Sequence, residues 1–485
     1  MNPLLLIDTY KATHLRQIPK EMTYSVSYFV PRGSRIPIWD KVVFFGLQAF
    51  IKKYLIDYFN KEFFERPEDE VVKEYVDHMN CVLPGVVNGN PIRRLHQLGY
   101  LPIEIIALEE GSEVPVKIPL FGIRNTHPAF PWLPQALESL ISAELWYPMI
   151  CATVGHTYRQ IVNKYYAETC TEGYVENKAL SNFDFRGDTN LEAALTAAAG
   201  WLLSFSNTST VPSIKYMEKY YGADPKCTGK GAISTEHFTV CSNYAVDGDE
   251  KSFLKRLLTE IYPNNSFSCV CDSYDYWNVV DNIIPSLKEE ILNHNGCFLV
   301  RGDSGDPVEI VTETVFHLWK TFGGTTNEKG YKILDPHVKA IYGDSITPQR
   351  CEQIYKILKD NGFAANNVSL GVGSFSMHAM EIDGVLYPYT RDTFQVKIAP
   401  QYMETWNGFS YPIFKEPKDC DFKKSYKGCC MVRRDWEGNF YCEDGFDWKT
   451  TCNELNHLQP IFKDGKFIKE TNLNEIRLRL NKGEF

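Results

Sequence analysis

Residues 297–303 read Cys-Phe-Leu-Val-Arg-Gly-Asp, and residues 338–344 read Val-Lys-Ala-Ile-Tyr-Gly-Asp. Each is a short apolar run that ends on Gly-Asp and leads into helical spacing, over 308–322 and 348–358 respectively. The same rhythm flanks the pair. Ser266-Phe-Ser-Cys-Val-Cys-Asp272 precedes a helical pattern around 276–284, and Val368-Ser-Leu-Gly-Val-Gly373 closes the series. Apolar strands alternating with helices imply parallel βαβ units. Their spacing, a few tens of residues, suits a (β/α) barrel or a doubly wound sheet. Both folds place chemistry at the carboxyl ends of the strands, where Asp272, Arg301, Asp303, Asp344 and Gly373 fall. One Asp after a strand is ordinarily a helix N-cap. Four polar or glycine strand ends in succession point to a shared site.

Outward from this core the pattern changes. Residues 133–149, 153–169, 191–203 and 213–221 read as four helices broken by Gly, Asn and Thr clusters. Before them, 43–59 has helical spacing and 101–124 reads as a small strand meander around Gly111. From about residue 400 the chain is β-rich, with turn signals at Trp406-Asn-Gly408, Glu437-Gly438 and Lys463-Asp-Gly465, and ends in a short helix near 473–480. The expected division is an N-terminal α+β layer over 1–135, an α/β barrel over 136–395, and a β-rich segment over 396–485 that packs with the N-terminal layer.

The 485 residues carry 51 Lys+Arg against 61 Asp+Glu, a formal net charge of −10. An acidic chain without a basic block lacks the footprint of a nucleic-acid binder, so any basic site must be local. None of the 14 cysteines forms a CxxC pair, which removes support for a zinc ribbon or a redox motif. The longest apolar stretch, 133–154, includes Glu138 and Glu144, too polar to span a membrane. A protein of the cytoplasm is expected.

Several residues invite chemistry. Gly371-Val-Gly-Ser374 at a strand end is a candidate phosphate cradle, since glycines let backbone N–H groups approach phosphate oxygens. Arg186, Arg301 and Arg391 sit beside Gly or Asp in turn-like contexts, and arginine forks suit phosphates. Asp303 and Asp344 suit ribose hydroxyls or Mg²⁺. Neither a GxGxxG that follows a strand nor a P-loop is present, so any phosphate is held by another device. His237, preceded by Glu236, suits a base, a metal ligand or a phosphoryl acceptor. Tyr10 and Phe183 are aromatics beside charged residues, placed to stack on a flat base.

Taken in order, these fragments resemble the nicotinamide phosphoribosyltransferases, a branch of the type II phosphoribosyltransferases, over essentially the whole chain. The resemblance rests on Asp8-Thr-Tyr-Lys11 with His14, Tyr28-Phe29 with Arg32, Phe185-Arg-Gly187, Lys219-Tyr-Tyr-Gly222 and Glu236-His237. It continues through Asp272-Ser-Tyr-Asp275, Arg301-Gly-Asp-Ser-Gly305, Gly343-Asp344, Gly371-Val-Gly373, Thr390-Arg-Asp392 and Phe414-Lys415. It implies an irregular α/β barrel with an accessory layer from both chain ends. It also implies a homodimer with interfacial active sites, and transfer of phosphoribosyl from phosphoribosyl pyrophosphate to a pyridine base with Mg²⁺.

By that resemblance, Phe183 and the second subunit's Tyr10 would sandwich the pyridine ring, and Arg301 would contact the base amide and ribose. Asp303 and Asp344 would lie near the ribose, and Gly343, Gly373, Ser374 and Arg186 around the 5′-phosphate. Asp8, Arg32, Arg391, Lys415 and Lys423 would hold pyrophosphate or ATP phosphates, with Lys397 joining them across an alignment gap. His237 matches the histidine that ATP phosphorylates in the family, Glu236 precedes it as the pattern requires, and Asp272 matches the acid that orients its ring.

The chain also departs from the family. Ser209, in Asn207-Thr-Ser-Thr-Val211, replaces the Asp that reads the carboxamide in nicotinamide-type members and repels a carboxylate. Asp184 stands where the pattern has Gly and is a candidate replacement; Lys230-Gly-Ala232 differs as well. The full-length match makes nicotinamide the expected base, with nicotinate or quinolinate as alternatives. An inactive relative kept as a binding protein is the reading of another class. The joint presence of Arg301, Asp303, Asp344 and His237 argues against it.

Overall fold

The computed structural model describes residues 1–171, 176–419 and 424–482. The chain forms two compact units. One comprises 151–219 and 223–388, and the other comprises 1–150, 220–222 and 389–484.

The first unit is built on six strands: β1 (Leu180–Phe183), β2 (Ile233–Ser234), β3 (Phe267–Val270), β4 (Phe298–Gly302), β5 (Val338–Tyr342) and β6 (Val368–Gly373). They form one sheet in the order β1-β6-β5-β4-β3-β2, with every neighbouring pair parallel. Isolated bridges join Asn182 of β1 to Thr208, and Asn207 to Lys230, three residues before β2. The circuit between the edge strands is thus completed by a short irregular segment. An irregular α/β barrel was expected, and this is one.

The helices between strands start where local chemistry starts them. Asp306 caps Pro307–Phe322, its side chain accepting from the N–H groups of Val308 and Glu309, and Pro307 stands at the first helical position. Thr347 caps Pro348–Asp360 in the same way. Val311, Val315 and Leu318 of the first helix are buried, as are Cys351, Ile354 and Leu358 of the second.

Two local expectations are corrected. Residues 138–169 form one continuous helix of 32 residues, with Pro148 inside it, preceded by the short Leu133–Ala136. Pro148 usually marks a break, but here it packs on Gly46, whose added Cβ would lie 2.8 Å from the ring. β1 and β2 were not expected as strands; Ser181 and Asn182 break the apolar run of β1, and β2 is two residues long.

The second unit holds a seven-stranded antiparallel sheet, ordered Ser410–Pro412, Lys397–Thr405, Met22–Val30, Phe121–Asn125, Ile103–Ala107, Gln459–Lys463, Lys466–Phe467. N-terminal and C-terminal strands therefore interleave in one layer, as the expected accessory layer requires. Val26, Tyr28 and Phe29 at its centre are fully buried.

Candidate active site

Arg301 lies next to the end of β4 and turns back onto Asp303. Its Nε lies 2.8 Å from Oδ1 and its Nη2 lies 2.7 Å from Oδ2, a two-point ion pair. Nη1 donates to the Ser234 hydroxyl on β2 at 3.0 Å. Both side chains of the pair are only 16% exposed. A guanidinium held on two edges is oriented before any substrate arrives.

The glycines at neighbouring strand ends exist to leave room for these groups. A Cβ on Gly343 would lie 2.3 Å from both Arg301 Nε and Asp303 Oδ1. One on Gly373 would lie 1.9 Å from Asp344 Oδ1, and one on Gly371 would lie 2.5 Å from the Phe183 ring. Phe183 ends β1 directly opposite Gly373, and the Arg301 guanidinium lies 5.9 Å from its ring centroid. The Phe183 ring, the arginine fork and two carboxylates thus meet at the carboxyl ends of β1, β4, β5 and β6. Asp344 is exposed, with the Ser345 N–H on its Oδ1 at 2.6 Å.

His237 opens the helix His237–Asp247, and Glu236 is its N-cap. The imidazole is 49% exposed, whereas Asp272 is 4% exposed. Nε2 faces Asp272 Oδ1 at 3.9 Å, an electrostatic contact too long for a hydrogen bond, and Nδ1 lies 3.1 Å from the Ser273 hydroxyl. Asp272 is anchored through Oδ2, which accepts from the Asp303 N–H at 3.0 Å. Its Oδ1 is buried with no hydrogen-bond partner among the described residues. The interior is acidic: burial, then the Asp303 and Asp272 charges, push the Tyr342 hydroxyl up to about 12.

Ser209 and Asp184, the expected base-reading positions, are both engaged with β1. The Ser209 hydroxyl donates to the Asn182 carbonyl at 2.9 Å, so its proton is committed to β1. Asp184 is fully buried; its Oδ1 accepts from Asn182 Nδ2 at 2.8 Å and from Thr210 Oγ1 at 2.9 Å. A carboxylate therefore stands beside the residue that follows Ser209. Burial first, and then Asp188, push its pKa up to about 7. Arg186 is exposed, and a Cβ on Gly187 would lie 2.0 Å from Ser374 Oγ.

Three of the pyrophosphate-binding candidates come together in the other unit. A cavity of about 460 Å³ is lined by Arg32, Lys397 and Lys415, together with Lys117 and Lys424, which sequence reading missed. Burial, with Arg32, Lys415 and Lys11 adding to it against Glu138, pushes the Lys397 ammonium down. A lysine so crowded by cations gains from an arriving polyanion. Arg32 Nε donates to the Gln395 carbonyl at 3.0 Å, and exposed Arg391 pairs with Asp392 at 2.6 Å. Tyr10 is exposed on the 3₁₀ segment Thr9–Arg16, pinned by buried Lys11 pairing with Glu138 and by Asp8 on the Ser139 hydroxyl. Lys423 lies outside the described residues. Lys117 has one available signal, its place just after Pro115-Val116 in the meander, where it adopts φ +75°.

The model of the nicotinate phosphoribosyltransferase family matches residues 179–428, which span all six barrel strands and most of the basic cavity. The chain belongs to this family. The nicotinamide phosphoribosyltransferase N-terminal domain matches residues 2–80. A curated nicotinamide phosphoribosyltransferase of Acinetobacter baylyi is 36% identical, over 99% of this chain and 97% of that protein. One from Xanthomonas campestris pv. campestris is 29% identical, over 98% and 97%. Among solved structures, nicotinate-nucleotide pyrophosphorylase from Pyrococcus furiosus superposes with TM-score 0.58 at 15% identity, covering 99% of this chain and 95% of that one. Human nicotinic acid phosphoribosyltransferase superposes with TM-score 0.55 at 16% identity, covering 98% and 93%. These two likenesses establish the shared fold. The chain is a phosphoribosyltransferase, and the strand-end constellation is its candidate active site. No helix among the described residues is long and apolar enough to cross a membrane.

Proposed function

We propose that this phosphoribosyltransferase joins nicotinamide to phosphoribosyl pyrophosphate, giving nicotinamide mononucleotide and pyrophosphate in NAD salvage. The observation that carries the reading is the convergence of Phe183, the Arg301–Asp303 pair, Asp344 and the spacer glycines at adjacent strand ends. The curated relatives named for this reaction supply the base.

In this reading Phe183 offers its face to the pyridine ring, and the Arg301 fork addresses the amide and ribose. As the bond from C1′ to pyrophosphate breaks, positive charge grows on the ribose and negative charge on the leaving group. Asp303 and Asp344 favour the first, and Arg32, Arg391, Lys397 and Lys415, with Asp8 beside them, form the surface for the second. The pyridine nitrogen brings its own lone pair, so positioning supplies most of the rate.

Mg²⁺ fits this donor set only as a partner of the substrate. No cluster of three or more His, Cys, Asp or Glu among the described residues could hold it alone, while exposed Asp344 offers the single carboxylate such an ion needs beside phosphates. When bound, it would neutralise pyrophosphate charge.

A second copy of the chain would supply Tyr10 and the basic surface. Exposed aromatics at the ends of β1, β2, β3 and β6, namely Phe185, Phe238, Tyr274 and Phe375, support a protein contact around the barrel mouth. ATP would act as phosphoryl donor to His237: the γ-phosphoryl moves to a ring nitrogen and ADP leaves. Asp272 facing Nε2 favours the proton there, so Nδ1 carries the accepting lone pair once the Ser273 hydroxyl turns away from it.

Nicotinate is the second reading, because the neutral Ser209 does not repel a carboxylate by charge. The test is product analysis after incubation with phosphoribosyl pyrophosphate, Mg²⁺ and nicotinamide. Formation of the mononucleotide with stoichiometric pyrophosphate is expected. Its absence, with and without ATP, refutes the proposal.

A further inference from the structure

The loops that follow β1 and β6 lie side by side, because these strands pair with Phe183 opposite Gly373. Gly187 of the first loop and Ser374 of the second meet in the seam. A second tie crosses it. His378 ends the one-turn helix Phe375–His378, and its Nε2 lies 3.3 Å from Asp188 Oδ1. The Asp188 side chain is completely buried, while the imidazole is 35% exposed. Asp184, four residues earlier, is also buried, and its Oδ2 has no hydrogen-bond partner among the described residues.

We infer that His378 and Asp188 are positioning residues of the transfer reaction: a charged clasp that holds the loop bearing Phe183 and Arg186 against the loop bearing Gly373 and Ser374. This rests on the reading above, in which those loops hold the base and the 5′-phosphate.

The carboxyl groups of Asp184 and Asp188 are buried near each other. Such a pair is costly unless a cation joins it or one member keeps its proton. His378 is the cation at hand. The Asp188 hydrogen bond raises its pKa most; burial opposes, and the Gly187 backbone and Asp184 add to the rise. The short helix packs on β6, which carries no charged residue, on the strand Ala379–Ile382, which carries only Glu381, and through Ser376 on Tyr158 of the helix 138–169 and on the Ile346 carbonyl. The charges acting on the His378 ring are those of Asp188 and Asp184.

The sign of the pH dependence follows. Below the raised pKa of His378 the imidazolium closes the clasp; as pH rises through it, the cation is lost and buried carboxylates face each other. As pH falls through about 7, Asp184 takes up a proton and its repulsion of Asp188 disappears. The clasp is tightest on the acid side of neutrality and loosens toward alkaline pH.

The experiment compares wild type with His378→Gln, Asp188→Asn and the exchanged pair Asp188→His with His378→Asp. KM for phosphoribosyl pyrophosphate and kcat are measured from about pH 6 to pH 9, after circular dichroism confirms folding. Each single variant should raise KM about tenfold near neutrality, the value of one charge-assisted hydrogen bond, with a smaller change in kcat. The alkaline rise of KM in wild type should be absent from His378→Gln, and the exchanged pair should recover part of the loss. Unchanged KM and pH dependence in folded His378→Gln overturns the inference, even if Asp188→Asn does not fold. Calorimetry separates the two layers: wild type that binds phosphoribosyl pyrophosphate yet forms no pyridine mononucleotide overturns the functional reading. The clasp is then judged by the affinity of His378→Gln for the same compound.

Discussion

Asp184→Asn should make the protein more stable, and increasingly so as the pH rises. The native carboxyl is fully buried, with a pKa raised from 3.8 to about 7 by burial and by Asp188. Below about pH 4 it is protonated whether the chain is folded or not, so the charge costs nothing. Between about pH 4 and pH 7 folding must take up a proton, at about 1.4 kcal/mol per pH unit. Above about pH 7 the folded protein carries the buried anion, and the cost levels off at about 4 kcal/mol.

An asparagine has nearly the same shape, keeps an acceptor for Thr210 Oγ1 and Asn182 Nδ2, and adds a donor toward the acidic side of the cluster. Urea unfolding followed by circular dichroism at matched ionic strength should show a gain of about 2 kcal/mol at pH 5.5, about 4 at pH 8, and little at pH 3.5. A gain that does not grow with pH, or a loss at pH 8, would refute the account of this carboxyl as a charge held at a cost between Asn182 and Thr210.

Three other substitutions probe the site directly. Gly343→Ala places a Cβ in the space of the Arg301–Asp303 pair, so kcat/KM should fall at least about a hundredfold, read by steady-state kinetics with the secondary structure intact. Arg301→Lys keeps a charge but cannot bridge Asp303 and Ser234 together. A loss of about 2–4 kcal/mol in transition-state binding is expected, with KM and kcat both affected. His237→Ala should abolish both the acid-labile radiolabel acquired from γ-labelled ATP and the stimulation by ATP; retention of either would remove His237 as the acceptor.

Much of the barrel was legible because four of its strands are apolar runs that end on Gly or Asp, the residues that turn a strand into a capped helix. β1 escaped because Ser181 and Asn182 break its apolar run, and β2 because two residues carry no periodicity. The helix 138–169 reads as two because Thr153 and Gly155 punctuate its apolar spacing, yet it runs through them and through Pro148 without a break. In the site, residue types at strand ends nominated Arg301, Asp303, Asp344, Gly373 and Asp272. The folding of Arg301 onto Asp303, and the reason for each glycine, depend on distances no sequence spacing encodes. His378 and Asp188 are 190 positions apart and became a pair only when β1 and β6 aligned. Lys117, Arg32 and Lys415, from three separate loops, and Lys397, from the start of a strand, likewise meet only as the lining of one cavity.

The most direct test offers nicotinamide and nicotinate together, at equal concentration, to the enzyme with phosphoribosyl pyrophosphate, Mg²⁺ and ATP, and separates the mononucleotides by chromatography. The account predicts nicotinamide mononucleotide as the main product. Nicotinate mononucleotide as the sole product, or neither mononucleotide, would contradict it.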